Sequence, residues 1–135
     1  MNGKLKTESG KRKEQRCMNS TIESKSFDFA VRIVNLYKHL INENKEYVMS
    51  KQILKSGTSI GANVSEGEQG QSKADFYTKM CIALKEANET YYWLRLLYAT
   101  DYLSEKEFIS METDIKEIIA LLTSICKTTQ QTQRK

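Results

Sequence analysis

Proline is absent from the 135 residues, histidine occurs once and cysteine three times. Without proline, no stretch is barred from the interior of a helix by a missing N–H. One histidine and no paired cysteines exclude a structural zinc site. Cys17, Cys81 and Cys126 share no short spacing and cannot all pair, which excludes a disulfide scaffold and points to a reducing cytoplasm. No run of about 18 uncharged apolar residues exists, so no segment is expected to cross a membrane. No charged-then-apolar leader with a small-residue cleavage site opens the chain, which argues against secretion.

The charge is unevenly spread. The formal net charge is +4 and the pI about 8.9. Lys4, Lys6, Lys11, Arg12, Lys13 and Arg16 stand against Glu8 and Glu14 in residues 1–19, a net +4. Residues 20–133 are net −2, and Arg134 with Lys135 restores +2. The leader has one aliphatic side chain, Leu5, before Met18, and burial cannot repay its ordering entropy. Residues 1–23 therefore read as a disordered basic leader, 24–129 as the folded body and 130–135 as a polar, basic tail. Met18 is an alternative start, which would remove residues 1–17 and with them the whole +4, leaving a net charge of about zero. As a functional element the leader is either a basic arm for nucleic acid or an inert extension.

From Phe27 onward the apolar residues recur at helical spacing. Phe27, Ala30, Ile33, Val34, Tyr37, Leu40 and Ile41 mark a first helix, capped by Ser26 and ending near Asn44. Ser50 caps a second, with Ile53, Gly57, Ile60, Gly61 and Val64 on its inner face, ending in a loop with Gly67 and Gly70. Ser72 with Asp75 opens a third, whose stripe is Phe76, Met80, Ala83, Leu84, Ala87, Tyr91, Leu94 and Tyr98. Ser104 with Glu107 opens a fourth, carrying Phe108, Met111, Ile115, Ile118, Leu122 and Ile125. No segment alternates like a strand. Short connections make neighbouring helices antiparallel, so the expected fold is all-α, an up-down four-helix bundle. Gly57 and Gly61 each cost helix propensity, about 1 kcal/mol relative to alanine, and close packing is the expected compensation.

The apolar surface exceeds what one bundle buries. Residues 91–98 are all aromatic or leucine except Arg95, whereas a helix facing one core needs an apolar stripe of roughly 100°. A monomer would expose Tyr92, Trp93, Leu96 and part of Ile119 and Leu121. A homo-oligomer is expected, with the third and fourth helices as its interface and Tyr92, Trp93 and Leu96 as contacts.

Ser56, Ser59, Asn63 and Glu66 form a polar strip on the second helix, and Ile82, Glu86, Glu89 and Trp93 fall close together on the third. Where these strips meet, the carboxylates need cations, for which Arg32, Lys79 and Arg95 are candidates. No catalytic, metal or cofactor site emerges. His39 is followed three residues later by Asn42 rather than an acid, neither Cys81 nor Cys126 has a histidine at a motif spacing, and the glycines at 57, 61, 67 and 70 make no phosphate loop.

The strings Ser56-Gly57-Thr58-Ser59-Ile60-Gly61-Ala62-Asn63-Val64-Ser65-Glu66, Asp75-Phe76-Tyr77, Ile82-Ala83-Leu84-Lys85-Glu86-Ala87-Asn88-Glu89-Thr90 and Tyr92-Trp93-Leu94 resemble the bacterial four-helix-bundle proteins encoded in 23S rRNA intervening sequences. The resemblance spans about residues 26–128. It implies a bundle that assembles as a homopentamer. It also implies a relation to the accessory variability determinant of diversity-generating retroelements, which partners a reverse transcriptase and binds nucleic acid. Asn63, Glu66, Glu86, Glu89 and Trp93, with Ser59 in the same motif, match recurring family positions and read as structural links around the second and third helices. The net −2 body departs from the basic surface of the retroelement branch.

Two functions follow as expectations. The first is a non-enzymatic oligomer that binds RNA, DNA or an RNA-associated protein through Lys25, Arg32, Lys38, Lys45, Lys51 and Lys55, which against Glu23, Asp28, Glu43 and Glu46 give a local +2. An ordinary solvated face explains those residues equally well. The second is a protein-interaction scaffold without nucleic-acid contact.

Overall fold

Helix α1 runs from Cys17 to Asn42, α2 from Met49 to Glu68, α3 from Lys73 to Ala99 and α4 from Glu105 to Arg134. The computed structural model describes residues 17–134, and side chains over 21–130. Among the described residues there is no strand. The expected leader over 1–16 lies outside the described residues, as does Lys135.

The first helix begins well before Ser26. Residues 17–23, read from sequence as leader, are helical, and Ile22 is fully buried. Ser26 is a buried mid-helix residue whose hydroxyl donates to the Glu23 carbonyl at 3.2 Å, so it caps nothing. The buried line of α1 is Ile22, Phe29, Ile33 and Leu40; of the expected line, Ile33 and Leu40 lie on it, and Ala30, Val34, Tyr37 and Ile41 are half-buried beside it. Phe27 is 67 % exposed. Both lines have helical spacing, and periodicity alone does not say which faces inward.

Ser50 does not cap α2 either. Val48, the cap position, makes no side-chain bond there. Glu46 does the capping from outside: its carboxylate accepts from the N–H groups of Val48 (3.2 Å), Met49 (3.0 Å) and Ser50 (2.7 Å). The Ser50 hydroxyl donates back to the Glu46 carbonyl at 2.8 Å. An acid on the free N–H groups of a first turn also meets the positive end of the helix dipole.

The caps of α3 and α4 follow the sequence. Ser72 accepts from the Asp75 N–H at 3.1 Å. The Glu107 N–H donates to the Ser104 hydroxyl at 3.1 Å, and the Ser104 N–H donates to the Glu107 carboxylate at 2.9 Å, a reciprocal capping box. Helix α3 ends with Asp101 in the left-handed region (φ 72°), the Tyr102 N–H on the Leu97 carbonyl and the Asp101 N–H on Tyr98, a Schellman ending built without glycine.

Ser104 holds Glu107 below the ordinary carboxylate range, chiefly through its backbone N–H. A lowered folded-state value means stability that is present above about pH 4–5 and lost as pH falls through the lowered value. Glu107→Gln is expected to flatten that acid limb, seen in melts at pH 7, 5 and 3. Ser104→Ala should cost about 1 kcal/mol at pH 7 in chemical denaturation.

The four helices share one core. On α3 its line is Met80, Ala83, Ala87, Thr90, Leu94 and Leu97. The expected line through Tyr91 and Tyr98 turns toward α4, where Tyr98 stacks on Phe108 with centroids 4.5 Å apart and rings 6° from parallel. The α4 line is as expected, with Phe108, Met111, Ile115, Ile118, Leu122 and Ile125 all buried. Helix α2 packs most extensively on α3; α4 packs on α3 and α1 on α2, while α1 touches α4 least. Two ion pairs bridge that thin seam, Lys25–Glu117 at 3.1 Å and Arg32–Asp114. Arg32 also donates to the Ser110 hydroxyl at 2.8 Å.

The glycines of α2 are explained by α1. A Cβ on Gly57 would lie 2.8 Å from Ile33 Cγ1 and 2.9 Å from Cγ2. One on Gly61 would lie 3.3 Å from the Ser26 carbonyl oxygen. The compensation expected for these residues is this close approach.

Candidate interaction faces

The motif residues cluster along α2 and α3 but do not form one network. Ser56 and Thr90 are buried, and their hydroxyls lie 2.9 Å apart across the two helices. Thr90 spends its proton on the Glu86 carbonyl (2.8 Å), so Ser56 supplies the other bond. Outside this pair, Glu66 meets Lys79 at 2.7 Å. Ser59 and Asn63 turn back on their own helix: the Ser59 hydroxyl donates to the Lys55 carbonyl (2.7 Å), and the Asn63 amide donates to the Ser59 carbonyl (2.8 Å). Trp93 Nε1 donates to Glu89 at 3.1 Å, one turn back on α3. Glu86 is half-buried and has no ion pair among the described residues.

Of the three cations considered for this strip, only Lys79 reaches it. Arg32 serves α4, as above. Arg95 lies over the Tyr91 ring at 5.0 Å and near Tyr92 at 5.9 Å. Tyr91 donates to Glu112 at 2.6 Å, and Lys116 sits 3.4 Å from the same carboxylate. That hydrogen bond raises the Tyr91 phenol and lowers Glu112, while the Glu112 charge raises Lys116. The Glu112–Lys116 spacing was readable in the sequence, but a tyrosine from another helix joining it was not.

The six basic residues considered for nucleic acid fare unevenly. Lys25 and Arg32 are neutralised by Glu117 and Asp114, and Lys45 donates to the Asn42 carbonyl at 2.9 Å, closing the end of α1. Lys38, Lys51 and Lys55 remain exposed without an ion pair among the described residues. The local +2 counted Glu23 and Asp28 of α1 with Glu43 and Glu46 of the α1–α2 connection, but not the acids that α4 brings alongside.

Two groups of exposed apolar residues lie on unlike faces, apart from Tyr47 and Val48 in the α1–α2 connection and Ile109 on α4. Tyr92 is 49 % exposed on α3, and its ring meets Trp93 edge-on at 5.1 Å; Ile82, ten residues earlier on the same helix, is separately exposed. Trp93, Leu96, Ile119 and Leu121 are half-buried in the single chain. The second face was not expected: exposed Phe27 on α1 borders a groove of about 430 Å³ lined by Ala30, Thr58, Gly61 and Ala62. A further cleft of about 350 Å³ between α1 and α4 contains His39 and Glu107, with Arg32 and Asn35. Glu107 is committed to Ser104 and Arg32 to Asp114, and no serine or cysteine lines the cleft as a nucleophile.

The two long motif strings thus lie on the helices that pack most tightly, and residues 18–124 match the family of 23S rRNA-intervening sequence proteins. The chain belongs to that family. This 23S rRNA-intervening sequence protein is also similar to a crystal structure from Bacteroides thetaiotaomicron, described as a protein of unknown function from the S23 ribosomal protein family. The two are 60 % identical with a TM-score of 0.80, over 82 % of this chain and 98 % of that one. No curated protein matches. No helix among the described residues is long and apolar enough to cross a membrane.

Proposed function

We propose that this intervening-sequence protein is a non-enzymatic module that acts by assembling with copies of itself and docking other proteins. In this reading the bundle is antiparallel and up-down. Support comes from contacts that step backward on one helix as they step forward on the next: Ser56 with Thr90 and Glu66 with Lys79, then Tyr91 with Glu112 and Tyr98 with Phe108.

The observation that carries self-assembly is the pair of unlike apolar faces, Phe27 with the α1–α2 groove and Tyr92, edge-on to Trp93, on α3. A contact between two different faces repeats from copy to copy, and closes as a ring when the rotation allows. The homopentamer implied by the family is one such ring. Neutralisation of Lys25 and Arg32 favours protein docking over nucleic acid, because phosphate binding needs cations that are free to displace counterions.

Light scattering at micromolar concentration is expected to give a multiple of the 15.6 kDa chain mass, and a monomer would overturn the proposal. Phe27→Glu and Tyr92→Glu should each lower the mass while leaving the helical circular dichroism intact, since both side chains are exposed in the single chain. A gel-shift assay at 50 mM salt should detect no RNA binding, and a shift lost at 200 mM would favour a nucleic-acid role instead.

A further inference from the structure

Cys81 on α3 and Cys126 on α4 are both free thiols, the first half-buried and the second buried. The contacts between these helices run from Tyr98–Phe108 through Tyr91–Glu112, and the same progression carries Cys81 to Cys126. Both residues pack in the core cluster. Burial first, then the neighbouring Cys81 thiol, pushes Cys126 up to about 12.

We propose that Cys81 and Cys126 form an oxidative modification site, in which Cys81 reacts with a hydroperoxide and Cys126 resolves it as a disulfide tying α3 to α4. The unequal environments assign the roles. An oxidant reaches the half-buried sulfur first, whereas Cys126 stays protonated and is a poor attacker of free oxidant. In the first step Cys81 sulfur attacks a peroxide oxygen and the O–O bond breaks. The alkoxide leaves as the alcohol with the thiol proton, and Cys81 becomes a sulfenic acid. In the second, Cys126 sulfur displaces hydroxide from that sulfur; the S–S bond forms, and the hydroxide leaves as water with the Cys126 proton. Two electrons pass from the thiol pair to the peroxide. The second step depends on proximity, which offsets the weak nucleophilicity of a protonated thiol. Dithiol reductants reverse it.

The link closes a loop containing the α3–α4 turn and restricts the unfolded chain, so the oxidised protein should melt several degrees higher. The test uses the full chain with Cys17→Ser, treated with tert-butyl hydroperoxide and digested without reduction. The expected result is a Cys81–Cys126 linked peptide, lighter by two hydrogens and restored by dithiothreitol. With Cys126→Ser added, dimedone should label Cys81; with Cys81→Ser added, Cys126 should remain a free thiol. Circular dichroism checks that each variant stays helical. The proposal is overturned if both thiols remain free after oxidation, if Cys81 stops at a sulfenic acid while Cys126 is present, or if the link forms between chains.

Discussion

Gly57→Leu is expected to cost about 3 kcal/mol or more, and Gly57→Ala about 1 to 2 kcal/mol, in urea unfolding at pH 7. In an exposed helix, alanine would instead gain about 1 kcal/mol over glycine. The sign reverses here because the added Cβ would fall 2.8 Å from Ile33 Cγ1 and 2.9 Å from Cγ2, and Ile33 has no exposed surface into which to swing. A leucine would fill the α1–α2 crossing with atoms that interior packing density cannot admit without shifting α1. The cause is checked by a double-mutant cycle with Ile33→Ala. That change alone leaves a cavity worth about 2–5 kcal/mol, but in the Gly57→Ala chain it should cost less, because the new methyl occupies part of the void. Strict additivity would show that the crossing is not the source of the penalty.

Glu46→Ala should cost about 2 kcal/mol, more than a typical exposed cap. One carboxylate, 9 % exposed, serves three consecutive N–H groups, with both oxygens engaged. Alanine leaves these donors in a partly buried turn without their acceptor. Glu46→Gln keeps one carbonyl oxygen and should recover roughly half the loss. Glu46→Asp separates reach from charge: the shorter arm keeps the charge but cannot span from residue 46 to the Ser50 N–H, and should behave closer to alanine. Equal stability of all three variants would contradict this cap. Hydrogen exchange at Met49 and Ser50 offers a local readout, since protection there should vanish in the alanine variant while the core of α3 is unaffected.

The four helices were legible because each carries repeated local signals. The capping boxes of α3 and α4 lie within four residues of chain, and the α4 stripe has no competing apolar line. Helix α1 was misread for the opposite reason. The expected line of Phe27, Ala30, Ile33, Val34, Tyr37, Leu40 and Ile41 shares Ile33 and Leu40 with the buried line of Ile22, Phe29, Ile33 and Leu40; both are apolar at helical spacing, and only the position of α2 decides between them. Ser26 and Ser50 looked like caps by residue type; each bonds back along the chain, a competing habit of serine inside helices. The same boundary separates what could be known of the faces. That apolar residues exceed one core was visible in residues 91–98. That Phe27 is left outside, or that Asp114 and Glu117 silence Arg32 and Lys25, requires knowing which helices lie side by side.

The thin α1–α4 seam gives the fold an order of opening. Helices α1 and α4 each rest on one inner neighbour, α2 and α3, to about the same extent, and they are tied to each other across the remaining gap by two half-exposed ion pairs. Such pairs weaken as salt screens them, and little apolar contact replaces them there. The bundle is therefore expected to open first along this seam, with α1 and α4 parting while each stays packed on its inner neighbour. Since α1 also carries Phe27, a neighbouring copy that covers that residue would hold one side of the seam in place, coupling assembly to the stability of each chain.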